Sequence, residues 1–148
     1  DQAGFEKLTH HYTARIGYDP EKVLHIGPFL ITFTKTEHPV PCYGMRITDG
    51  EKVVVYTADT SFMQELISFS RKADLLITDC SFYGGQDGSK AGHMNSIECG
   101  TIAEEAGVSE LLLSHHPHFG DRTELVKEAK QKFTGDVELA RSGYIWKG

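Results

Sequence analysis

At 148 residues, with 39% hydrophobic and 24% charged side chains, the chain is long enough for one compact domain with a real core, and its composition is that of an ordinary globular protein. A formal net charge of -6 without any cluster of Lys and Arg argues against a general nucleic-acid-binding surface, which neutralises phosphates with grouped cations, and leaves open nucleic acid as a partner through a local basic patch. The apolar runs are strand-length and residues 1–20 lack the charged start and apolar centre of a signal peptide, so neither export nor membrane spanning is expected. Three widely spaced cysteines, Cys42, Cys80 and Cys99, fit reduced thiols in a cytoplasmic protein better than a disulfide framework.

Residues 1–27 read as a loop-rich entry segment with an Asp19-Pro20 turn signal. FLITFTKT at 29–36 is rich in aromatic and β-branched residues, and MRIT at 45–48 with VVVYT at 53–57 flank Asp49-Gly50. That pattern predicts three antiparallel strands with a hairpin turn. Strand and helix then alternate: a helix near 61–72, a strand at 75–80, a helix near 96–106 capped by Asn95 or Ser96, a strand at 110–114, a helix near 123–133 and a last short strand in VELA or YIW. The stretch from Asp79 to His93 holds four glycines and is long enough to be a functional loop. Its glycines do not make a nucleotide phosphate loop, because Lys90 lacks the following Ser or Thr.

His38, Asp59 and His115 each stand at the polar end of an apolar run, where imidazole and carboxylate at successive strand ends converge on one rim and would ligate a zinc-like cation. Each has a plainer reading. Asp59 has the alternative role of helix cap, with Ser61 and Gln64 as a rival capping box. His38 precedes Pro39 and is equally a surface histidine in a bend. Neighbours on a strand point to opposite faces, so of His115 and His116 only one faces a given site. His115 is the choice, with His118 in reserve. His93 precedes a helix start and suits proton donation to a leaving group. Cys42 reads as a buried small residue rather than a nucleophile.

Taken together, EHPVPCYGMRI, VVVYTADTS, AGHMNS and ELLLSHHPH resemble the later motifs of the metallo-β-lactamase-fold hydrolases, in the branch that includes ribonuclease Z, over about residues 28–146. The resemblance implies an α/β fold, half of an αββα sandwich, with a mixed sheet and helices on one face. It implies two divalent metal ions, zinc above manganese or iron, with His38 on one metal, His115 on the second and Asp59 bridging them. His93 would contact the scissile phosphate and protonate the leaving group. The implied activity is phosphodiesterase-type hydrolysis by a hydroxide activated between the two ions, on a small phosphorylated or ester substrate.

The family's HxHxDH segment is absent from these 148 residues, and the first residue is Asp rather than Met. The chain is therefore expected to be the C-terminal portion of a single domain, inactive alone, and to form a homodimer through its uncovered sheet face. Only residues 39–58 separate His38 from Asp59, which resembles the small members without the long tRNA-binding arm, so tRNA 3′ processing is not expected. The competing reading is a non-enzymatic α/β module that binds a small anion or serves assembly, in which Asp59→Asn costs only a lost cap, about 1 kcal/mol.

Overall fold

The computed structural model describes residues 17–148. Seven strands form one sheet in chain order: β1 (Leu24–Ile26), β2 (Phe29–Lys35), β3 (Tyr43–Thr48), β4 (Val53–Tyr56), β5 (Leu75–Asp79), β6 (Glu110–Ser114) and β7 (Asp136–Leu139). The first four pair antiparallel and the last four parallel. Parallel neighbours need crossovers, and three helices supply them: α1 (Glu65–Phe69), α2 (Ser96–Ala106) and α3 (Thr123–Ala129).

The register explains which face the helices cover. Val55, Leu76, Leu111 and Val137 are matched across β4 to β7, and all four join the buried cluster that holds Leu66 of α1, Ile102 of α2 and Leu125 of α3. Helices α2 and α3 lie so close at Gly100 that a Cβ there would sit 2.3 Å from the Ala129 carbonyl oxygen. The opposite face carries Ile31, Phe33, Ile47 and Val54, all only half-buried. Among the described residues no helix is long and apolar enough to cross a membrane.

Several expectations are corrected. Leu24–Ile26, inside the segment read as loop-rich, is a strand paired with β2 around a two-residue Gly27-Pro28 turn; residues 1–16 of that segment lie outside the described residues. The β3–β4 hairpin is as expected: Thr48 pairs with Val53 across residues 49–52, and the Asp49 carboxylate accepts from the backbone N–H groups of Glu51 and Lys52. Helix α1 starts at Glu65 rather than near 61, and neither Asp59 nor Ser61 caps it: its first flanking residue is Gln64, without a side-chain cap. By contrast α2 has the expected bounds, because Asn95 and Glu98 form a reciprocal capping box.

Candidate metal and acid-base site

Strand direction gathers the site. Strand β2 is antiparallel to β3 and β3 to β4, so β2 runs with the parallel strands and its end opens on the same rim as theirs. His38 follows β2, Asp59 follows β4, Asp79 ends β5 and His115 follows β6. His93 reaches the rim from the loop between β5 and α2. Donor atoms of His38, Asp59 and His93 lie within 4.8 Å of one another, as do those of Asp79, His93 and His115.

Asp79, whose side chain is fully buried, is the centre of this arrangement. Its Oδ2 lies 2.6 Å from His93 Nδ1 and accepts from the Thr60 backbone N–H at 3.2 Å. Its Oδ1 accepts from the Ser81 hydroxyl at 2.6 Å. A carboxylate withdrawn from water is tolerated only with such partners. Because that oxygen accepts, His93 donates through Nδ1 and keeps Nε2 toward the rim, where the rings of His38 and His115 flank it at 5.3 and 5.0 Å between centroids.

The outer members are held more loosely. Asp59 and His115 are about one-third and one-half exposed, with 3.3 Å between Asp59 Oδ1 and His115 Nδ1. His38 Nδ1 lies 3.1 Å from the Val40 carbonyl, which can only accept, leaving Nε2 free. The Cys42 thiol lies 3.6 Å from the same nitrogen. Ala58 and His115, beside the site, both adopt left-handed backbone, with φ of 56° and 50°, which costs a non-glycine residue about 1 kcal/mol or more. His116 turns away: its Nε2 donates to the Leu113 carbonyl at 2.6 Å, and burial pushes its pKa below the ordinary histidine value. His118 joins neither donor group. Burial, reinforced by the negative charges of Asp59 and Asp79, raises the Tyr56 phenol above its usual pKa.

Sequence reasoning thus brought His38, Asp59, His93 and His115 forward, and the structure places them together. It missed Asp79, although a carboxylate ending the apolar run LLIT repeats the pattern of Asp59 after VVVYTA. At the start of α2 the backbone N–H groups of Asn95, Ser96 and Glu98 are bonded to Glu98 Oε2, the Phe82 carbonyl and Asn95 Oδ1.

Comparison with known proteins bears on this rim. A family model described as a beta-lactamase superfamily domain matches residues 2–116. The probable metallo-hydrolase YhfI of Bacillus subtilis is 58% identical over 145 residues, which are 97% of this chain and 59% of that protein. The crystal structure of the metallo-beta-lactamase fold protein YhfI superposes with a TM-score of 0.91 at 56% identity, covering 99% of this chain and 61% of that one. A ribonuclease Z of Thermoplasma volcanium is 28% identical over 167 residues, which cover 78% of this chain and 54% of that protein. The chain therefore spans about three-fifths of the YhfI length.

Proposed function

The chain belongs to the beta-lactamase superfamily, and on that premise we propose that it supplies one wall of a two-metal hydrolase site that cleaves a small phosphodiester. The observation that carries this reading is the gathering of His38, Asp59 and His115 at successive strand ends on one rim around His93, with Asp59 Oδ1 3.3 Å from His115 Nδ1. Imidazole nitrogen and carboxylate oxygen suit zinc, and also manganese or iron, so the donor set fits such ions. His38, Asp59 and His115 would hold them, with Asp59 between the other two. Divalent cations bound there supply Lewis acidity, lowering the pKa of water and offsetting charge that develops on the scissile group.

The remaining work falls to the chain's own groups. Asp79 fixes the His93 tautomer and ring direction through the 2.6 Å contact, as a buried carboxylate does for a working imidazole. In its doubly protonated form, with Nδ1–H held by Asp79, His93 would give the Nε2 proton to the leaving-group oxygen and revert to the neutral ring. The phosphodiester reading draws support from the likeness to ribonuclease Z. The half-buried apolar face of the sheet supports the reading of a homodimer, which sedimentation would resolve from a monomer.

The test is zinc content by elemental mass spectrometry after equilibration and desalting, alongside hydrolysis of bis(4-nitrophenyl) phosphate. We expect bound zinc that falls sharply in Asp59→Ala and, in the full-length protein rather than this portion alone, hydrolysis that falls by about a hundredfold or more in His93→Ala. Zinc retained equally by the Asp59 variant would sink the ligand assignment.

A further inference from the structure

Beside His38, which forms part of its wall, a pocket of about 330 Å³ is lined by Glu37, Pro39, Ser61, Ser89 and Lys90. It is an open depression whose walls are fixed by local contacts. Ser89 and Lys90 sit on a short 3-10 turn whose flanking Gly88 and Gly92 are buried. At Gly92, with φ of +80°, a Cβ would lie 2.6 Å from Pro39 Cδ and 2.8 Å from His38 Cδ2, so the turn is pressed directly onto the His38 loop. The Asp87 carboxylate fixes the turn by accepting from the Ser89 N–H at 2.9 Å. On the opposite wall Ser61 is 5% exposed, and its hydroxyl donates to Glu37 Oε2 at 3.0 Å.

We infer that this pocket receives the leaving group of the substrate, and that Lys90 selects leaving groups carrying a negative charge of their own. The inference rests on the phosphodiester reading of the neighbouring rim. Its basis is charge. The rim and this pocket carry Asp59, Asp79 and Glu37, and Lys90 is the cation lining the pocket. Among the described residues no carboxylate lies within ion-pair distance of it. An ammonium without an ion pair beside an acidic rim offers a distal anion a charge-assisted hydrogen bond, while the neighbouring Ser89 is committed to the Asp87 carboxylate. Glu37, pinned by Ser61, faces the uncharged part of the leaving group and accepts from any hydroxyl there.

Two measurements decide this. In the metal-free chain, inorganic phosphate titrated by two-dimensional NMR should shift the amides of Ser61, Ser89 and Lys90. Lys90→Ala should weaken that binding about tenfold, with Lys90→Arg restoring most of it. Shifts confined to His38, His93 and His115, or shifts that Lys90→Ala leaves intact, overturn the inference. With zinc present, kcat/KM is compared for two aryl phosphodiesters whose leaving groups differ only by a carboxylate. Lys90→Ala should cut the preference for the charged one about tenfold, and Lys90→Glu should reverse it. An unchanged preference overturns the subsite. Absence of any hydrolysis speaks against the proposed activity instead, while the phosphate titration still decides the role of Lys90.

Discussion

The centre of the rim and its outer positions are held in different ways. In the parallel half, Asp79 and His93 stand at the centre, backed by α2, and the Asp79 side chain is fully enclosed and bonded to three partners. The outer positions, His38, Asp59 and, past the parallel strand β6, His115, hang on loops, with Asp59 about one-third and His115 about one-half exposed. The difference separates two tasks. Groups that orient a proton need a rigid, dry setting, whereas groups that bind an ion need reach and can be tightened by the ion itself.

The largest expected effect tests that contrast directly. Asp79→Asn keeps the shape but removes the charge that His93 and Ser81 address, and should cost about 2 kcal/mol in urea denaturation of the metal-free chain. Asp59→Asn should cost less than about 1 kcal/mol, since its carboxylate is partly solvated and no backbone N–H is bonded to it. Equal costs would break the comparison. Next in size is Gly92→Ala, which forces a side chain into the 2.6 Å space against Pro39 at positive φ and should cost about 1.5 kcal/mol. Hydrogen exchange should show the loss of protection at Thr36 and Ser61, whose backbone bonds anchor the His38 loop, with β6 unaffected.

A smaller effect of opposite sign is expected at Ala58. Glycine relieves the left-handed backbone at φ 56° but adds freedom to the unfolded chain, so Ala58→Gly should raise stability by about 0.5 kcal/mol. A rise in melting temperature accompanied by weaker zinc binding would show that the strain sets the direction of Asp59. A rise without such weakening would make it incidental.

The parallel half was also the more legible one. ELLLS is an unbroken apolar run of strand length, and the Asn95 and Glu98 spacing marks the start of α2; both features are local, and both elements have the expected bounds. Helix α1 was overextended because Ser61 and Gln64 mimic a capping box, while Ser61 is in fact committed to Glu37. Strand β1 escaped notice because three residues carry no period of their own and exist as a strand only through pairing with β2. The candidate site shows the same rule. His38, Asp59 and His115 end apolar runs and can be read locally, but the weight of Asp79 comes from Thr60, Ser81 and His93, and the tertiary fold alone brings Thr60 and His93 to it.

The smallest predicted effect uses His116, the histidine beside the site that turns inward. Burial disfavours its charged form in the folded chain, so its pKa there lies below the unfolded value and the unfolded chain binds the extra proton first. Stability from this group is therefore present above the unfolded pKa, near 6.5, and is lost as pH falls through the depressed folded value. Melting curves from pH 7.5 down to pH 5 should show a decline that is shallower in His116→Gln, an uncharged residue that still offers a donor to the Leu113 carbonyl. If the two declines are parallel, His116 does not set the acid sensitivity. The inward ring would then be a packing element at the end of β6, held by its 2.6 Å contact with the Leu113 carbonyl.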